Sequence, residues 1–304
     1  MKAFFDMHSD LPTKLYSSNE SILHNNHHWS LDKCPADEFV QFFACFIDKN
    51  IIKNPFHYST NVLRSFRQKS KDNVFIVEKY QDVLKNKKRG ILTIEGGEAL
   101  EGKLSNLEYF YDLGVRLLTL TWNYENELGY GVAEGKNTKP LKKFGIDVIN
   151  KMEQLGMIID VSHLNEGGFW SVVENVKCPF VASHSNSKTI CDNARNLTDE
   201  QIKIIIDRKG LIGINLYPPF LSNSKSVKIC DILKHIEHIL SLGGEDALVF
   251  GADFDGVDIL PQEIKNVSSL QNIIYEMQKN NFSNDVIAKI CYKNGKNALK
   301  TLLL

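Results

Sequence analysis

Several features that would direct a chain to nucleic acid, a membrane or an oxidising compartment are missing from this sequence. Its 36 basic and 37 acidic residues leave a formal net charge of −1. That balance gives no support to nucleic acid as a partner, because backbone phosphates demand a basic face. The short cluster Lys85, Lys87, Lys88 and Arg89 reads as a solvated helix end ahead of a strand. No run approaches the roughly 18 apolar residues of a membrane span. Met1-Lys2 leads into the first strand-like run without the apolar segment and cleavage site of a secretory leader. The end, Thr301-Leu302-Leu303-Leu304, is too short for an anchor tail. The six cysteines (34, 45, 178, 191, 230 and 291) show no C-x-x-C pair. They read as reduced thiols rather than a disulfide framework, so the expected compartment is the cytoplasm. There is also no internal repeat, no low-complexity linker and no glycine-rich phosphate loop after the first strand. The last absence weighs against an open doubly wound sheet.

What is present is ordinary globular composition, 43% hydrophobic and 24% charged over 304 residues, with ample length for a buried core. One recurring pattern dominates, a strand-like run followed by a helical one. Strands are expected at Ala3-Met7, Phe42-Ile47, Gly90-Ile94, Val115-Thr121, Met157-Val161, Phe180-Ser183, Leu211-Leu216 and Leu248-Ala252. Several are near-continuous apolar runs, as parallel strands covered on both faces require. Helices are expected at Lys103-Asp112, Pro140-Leu155, Thr198-Lys209 and Ile229-Leu242. Thr198 and Gln201 form a capping box, and the tail from about Val267 holds two or three further helices. Eight strands with intervening helices predict a (β/α)8 TIM-type barrel with extra C-terminal helices, one domain over residues 1–304. The segment from Asn19 to Ser30, with His24, His27 and His28, reads as a polar surface loop. His57, His235 and His238 read as structural or surface residues.

In such a barrel the active site is built at the C-terminal ends of the strands. Strand 1 ends in His8 and Asp10, which lie on one side of an extended segment and can aim at one point. Strand 3 runs into Glu95-Gly96-Gly97, strand 5 into Ser162-His163 and strand 6 into Ser183-His184. Strand 8 runs into Asp253-Phe254-Asp255-Gly256. Each has an unremarkable reading alone, as a loop histidine or a helix cap. Three histidines and three acids at the same end of five strands imply a shared centre. Such a set can hold two divalent ions if one carboxylate bridges them, and nitrogen and oxygen donors suit zinc better than magnesium.

In these motifs the chain resembles the membrane dipeptidase (renal dipeptidase) family of zinc metallopeptidases, within the amidohydrolase-like barrels. The resemblance rests on Asp6-Met7-His8-Ser9-Asp10-Leu11-Pro12, Ile94-Glu95-Gly96-Gly97 and Leu118-Thr119-Leu120-Thr121. It continues through Gly156-Met157-Ile158-Ile159-Asp160-Val161-Ser162-His163, Ser183-His184-Ser185 to Asn193-Ala194-Arg195-Asn196, and Gly251-Ala252-Asp253-Phe254-Asp255-Gly256-Val257. These occur in the family's order and span nearly the whole chain.

The resemblance implies a dipeptidase with two Zn2+ ions, acting by attack of a metal-bridging hydroxide on a dipeptide. It implies that His8 and Asp10 hold one ion, His163 and His184 the other, and Glu95 both. Asp253 falls where the family keeps its proton-shuttling acid, and Arg195 where an arginine meets the substrate, its carboxylate being the expected partner. Tyr217 falls near the substrate pocket, and a homodimer is implied. The chain departs from the family at Trp122, where many members carry a histidine that stabilises the tetrahedral intermediate. Trp offers one N–H donor and no imidazolium charge, which leaves Asn123 or Asn126 as candidate substitutes. The substrate could instead be an N-acyl-amino acid, a lactam or a lactone, since loops such as 123–139 choose it. A binding barrel without turnover is the remaining reading.

Overall fold

The computed structural model describes residues 2–135 and 137–303. Residues 1, 136 and 304, part of the expected 1–304 domain, lie outside the described residues. Eight strands are formed: β1 (Ala3–Asp6), β2 (Glu38–Phe46), β3 (Phe75–Ile76), β4 (Lys88–Glu95), β5 (Val115–Thr119), β6 (Ile158–Asp160), β7 (Ile212–Ile214) and β8 (Leu248–Phe250). All pair in parallel, in the order β6-β5-β4-β2-β1-β8-β7, with β3 a short extra strand beside β4. The gap between β6 and β7 is filled by Val181 and Ala182, which bridge Asp160 on one side and Ile212 on the other. Val181 N–H donates to Ile159 O at 2.9 Å, and Ala182 N–H to Leu211 O at 2.9 Å. The barrel therefore closes, and this pair is the residue of the expected strand 180–183.

The strand residues divide into two packing clusters with a period of two, as strand geometry requires. Phe5, Val40, Phe42, Ile91, Leu117, Ile158, Val181, Leu211 and Val249 pack together as the barrel interior. Phe4, Phe39, Phe43, Leu92, Leu118, Ile159, Ala182, Ile212 and Phe250 face the helical layer. With both faces buried, the strands read as continuous apolar runs rather than alternating ones.

The expected helices form at Leu104–Asp112, Lys143–Leu155, Asp199–Asp207 and Ile229–Ser241. Thr198 and Gln201 make the expected capping box. Helices Leu11–Ser18, Pro55–Ser70 and Glu166–Asn175 complete the layer. The tail holds Leu270–Lys279, Asn284–Ala288 capped by Ser283, a π-turn at Lys289–Lys293 and Asn294–Leu302. Leu299, Leu302 and Leu303 pack against the interior cluster, so the tail plugs one end of the barrel.

The basic cluster is a solvated helix end only in part, since Lys85, Lys87 and Lys88 are exposed and Arg89 is not. Lys85 closes the helix Tyr80–Lys85, but Arg89 lies on β4 and is 1% exposed. The Asn19–Ser30 loop is also more than polar surface, since Trp29 within it is fully buried against Phe39 and Phe43.

Candidate metal centre

His8, Asp10, Glu95, His163, His184 and Asp253 all meet at the C-terminal mouth, each buried to at least nine-tenths. His8 Nε2 lies 3.5 Å from Glu95 Oε2, 3.6 Å from Asp10 Oδ2 and 3.8 Å from Asp253 Oδ1. The other Glu95 oxygen, Oε1, lies 2.9 Å from His163 Nε2 and 3.3 Å from His184 Nε2. One carboxylate therefore faces two donor groups with its two oxygens. Three overlapping sets have metal-site spacing: His8, Asp10 and Glu95; Glu95, His163 and His184; and His8, His184 and Asp253.

The backbone sets these directions at some cost. Glu95 is the last residue of β4, and Gly96 turns the chain away at φ 118°. His163 and Asp253 adopt φ of 65° and 63°, and Asp255 70°. Left-handed conformations at non-glycine residues cost on the order of 1–3 kcal/mol each, and cluster where a site must be held in shape. Gly256 is required by space instead. A Cβ there would stand 2.3 Å from Asp10 Oδ2 and 2.4 Å from Asp253 Oδ1. Asp10 occupies the N-cap position of Leu11–Ser18 but makes no side-chain capping bond. An N-cap aspartate ordinarily accepts one of the first helical N–H groups, so this carboxylate is held for something else.

The donor chemistry fits a cation. His163 Nδ1 donates to Asn123 Oδ1 at 2.7 Å, which leaves Nε2 without a hydrogen. The Nε2 atoms of His163 and His184 stand 2.9 Å apart, both against Glu95 Oε1. Acceptor atoms crowded on one point need a positive charge among them. Both nitrogens of His8 and Oδ1 of Asp10 are buried without a hydrogen-bond partner among the described residues. Buried polar groups are seldom left so.

The electrostatics agree. Burial lowers the His8 pKa, but the Glu95 and Asp10 carboxylates outweigh it and hold His8 well above its usual value. Burial, with the charge of Arg195 added, lowers His163 to about 4. Burial, with His8 and Arg195 added, puts His184 well below its usual value, so both stay neutral. Burial and the Glu95 charge raise Asp253.

The mouth opens into a cavity of about 560 Å³ lined by Asp10, Glu95, His163, Asp253, Trp122, Asn123 and Tyr217, among others. Trp122 packs edge-on against Phe46 and Tyr124, forming an aromatic wall. Of the two asparagines expected as substitutes for the family histidine, Asn123 supports His163. Asn126 ties its own loop together through Leu120 O, Leu128 N and Gly129 N. Arg195 does not line this cavity. It sits behind His184, donating to His184 O at 3.0 Å and Ser185 Oγ at 3.3 Å, and lines a small separate cleft. Burial lowers its pKa to about 10, which leaves it charged at neutral pH.

Three supporting residues have roles that the sequence motifs do not reveal. Asn215 donates from Nδ2 to Asp253 Oδ2 at 2.9 Å, and Gly256 leaves the space that Asp10 and Asp253 share. Asp255 accepts from the backbone of His28 and Trp29 and clasps the Asn19–Ser30 loop to the strand-8 end. Asn215 was within reach, since it ends β7 as the other rim residues end their strands. The histidines held to be structural do sit so. His235 joins Ser187 N to Leu221 O, and His238 meets Asp199.

Comparison with known proteins gives one consistent result. Residues 2–302 match the family model described as membrane dipeptidase (peptidase family M19). An uncharacterized protein encoded in the pqqA 5′ region of Klebsiella pneumoniae is 35% identical over 218 residues, 69% of this chain and 80% of that protein. An uncharacterized dipeptidase of Schizosaccharomyces pombe is 32% identical over 72% of this chain, the match spanning only 54% of the yeast protein. Among solved structures, a dipeptidase described as a metallopeptidase of family M19 superposes with TM-score 0.90 at 25% identity, covering 99% of both chains. A metallopeptidase from Rhodobacter sphaeroides, liganded with a phosphinate mimic of the dipeptide L-Ala-D-Ala, gives TM-score 0.89 at 24% identity over 99% of both chains.

Proposed function

The chain belongs to the membrane dipeptidase family of metallopeptidases, family M19, and on that premise we propose that it is a two-zinc enzyme hydrolysing dipeptides. The observation that carries the two-ion reading is the division of Glu95, Oε2 toward His8 and Oε1 toward His163 and His184. His8 and Asp10 would hold one ion, His163 and His184 the second, and Glu95 both. Bound there, the ions would polarise the scissile carbonyl and supply a water ionised near neutral pH.

The protein's own groups would do the rest. Asp253, raised by burial and held through Oδ2 by Asn215, would take the proton of the attacking water and pass it to the leaving amine. The Arg195 guanidinium, charged but set behind His184 and outside this cavity, would contribute positive charge on the side where the substrate carboxylate is expected rather than a direct fork. Trp122, Asn123 and Tyr217 would shape the pocket around the side chains. The six free thiols suit a cytoplasmic enzyme, and the family resemblance adds a homodimer.

The test is a metal count on the purified protein together with L-L and L-D dipeptides, N-acyl-amino acids, lactams and lactones. Two zinc ions per chain and the highest kcat/KM on dipeptides are expected. A metal-free protein without peptide cleavage would sink the reading, and preference for a lactone or lactam would move it to another amidohydrolase. Light scattering reads the dimer.

A further inference from the structure

Beneath His184 lies a buried polar chain that runs from three strand ends to its Nδ1. Thr119, Asp160 and Ser183 end three adjacent strands and point into the barrel, two positions beyond the interior residues Leu117, Ile158 and Val181. Asp160 is fully buried and its two oxygens accept four hydrogen bonds. Oδ1 takes the backbone N–H of Ser162 at 3.0 Å and of Ser183 at 2.8 Å. Oδ2 takes Thr119 Oγ1 and Ser183 Oγ, each at 2.6 Å. Ser183 Oγ also lies 2.7 Å from His184 Nδ1 and 3.3 Å from Ser162 Oγ, and the Ser162 hydroxyl accepts the His184 backbone N–H at 3.1 Å.

A serine hydroxyl has one hydrogen. The carboxylate oxygen can only accept, so the Ser183 hydrogen is committed to Asp160. Ser183 Oγ must then accept from His184, which puts the imidazole proton on Nδ1 and bares Nε2. We propose that Asp160, acting through the Ser183 hydroxyl, is the positioning residue that sets the tautomer of His184 and so presents Nε2 to the metal. It is a carboxylate–histidine pair of the kind that supports metal ligands, with a hydroxyl inserted between its members. His163 reaches the same state by a different route, through the neutral amide oxygen of Asn123.

The direction of the hydrogen bonds makes the proposal testable, and it rests on the two-zinc reading only for its metal readout. In Asp160→Asn the two backbone N–H groups hold the amide oxygen at the Oδ1 position, so the NH2 faces Ser183. Ser183 must then accept from the amide and donate to His184 Nδ1, which drives the proton to Nε2. Ser183→Ala removes one bond but imposes no wrong tautomer. Zinc affinity, read by competition with a chelator, should fall about 10-fold in Ser183→Ala and about 100-fold in Asp160→Asn. Thr119→Ala, which touches Asp160 but not the relay, should stay within about threefold of wild type.

The second readout is the 15N spectrum of the histidine rings in zinc-free protein. His184 should be protonated on Nδ1 in wild type and on Nε2 in Asp160→Asn. A purely structural role for Asp160 would weaken binding without exchanging the two nitrogens. Unchanged tautomers, or Asp160→Asn binding zinc as tightly as Ser183→Ala, would overturn the proposal. If the wild type binds no zinc, the two-zinc reading fails, while the ring spectra still decide the tautomer claim.

Discussion

Arg89, near the start of β4, and His8, just past the end of β1, are each 1% exposed, yet their surroundings differ. Every guanidinium nitrogen of Arg89 donates. Nε reaches Phe39 O and Lys87 O, Nη1 reaches Val83 O at 2.6 Å, and Nη2 reaches Glu38 Oε1 at 2.8 Å and the Tyr292 hydroxyl at 2.7 Å. Neither nitrogen of His8 has a hydrogen-bond partner among the described residues, and three carboxylates lie within 4 Å of it. Buried charge at the floor of the barrel is closed by the protein itself. At the mouth it is left open, which is tolerable only where a ligand completes it. Floor residues should therefore govern stability and mouth residues activity.

The largest expected effect tests the mouth. Asp253→Asn should lower kcat by about 10²- to 10⁴-fold, the span that general acid–base groups supply, while both metals stay bound. The zinc-free variant should melt no lower than zinc-free wild type, because one of several crowded carboxylates has been neutralised. His163→Ala should instead lose metal. Metal counts, kcat and melting curves on the two variants check this, and normal turnover in Asp253→Asn would remove the shuttle assignment.

Gly256→Ala sharpens the same contrast without changing a charge. Its Cβ would force Asp10 and Asp253 apart, and misplacement of reacting groups by about 1 Å can cost 10²-fold. A loss in kcat/KM of about that size is expected, and a loss under twofold would show that the two carboxylates have room to spare.

At the floor, Arg89→Met should do the opposite. Removing one partner of a buried ion pair costs about 3–5 kcal/mol, and the lower end applies because Glu38 is partly open to water. Urea unfolding should show that loss while zinc content and low-temperature kcat stay at wild-type values. Lost metal with unchanged stability would reverse the assignment of the two ends.

The six mouth residues were legible because each follows an apolar strand in a short motif, and strand ends share a rim in any closed parallel barrel. Their supports were not. Whether Ser183 meets Asp160, or Asn215 meets Asp253, depends on register between strands far apart in sequence. Arg89 was misread for the same reason, since its partners Glu38 and Tyr292 lie 51 and 203 residues away. The two-residue strand β3 and the bridging pair Val181-Ala182 are too short for any periodicity to define their limits.

A histidine with both nitrogens satisfied offers the finest comparison with His8. His235 is fully buried, accepts Ser187 N–H at Nδ1 and donates from Nε2 to Leu221 O. Burial lowers its pKa to about 4. The folded state therefore keeps the ring neutral, while the unfolded chain takes up a proton near the ordinary value of about 6.5. Its contribution to stability is complete above pH 6.5 and falls as the pH drops toward 4, reaching a loss of about 1 kcal/mol at pH 5.5. Urea unfolding of zinc-free wild type and His235→Gln between pH 7.5 and 5 should show this slope in the first and a shallower one in the second. Equal slopes would mean that His235 takes up its proton inside the fold, and that closed hydrogen bonding does not hold a buried histidine neutral here.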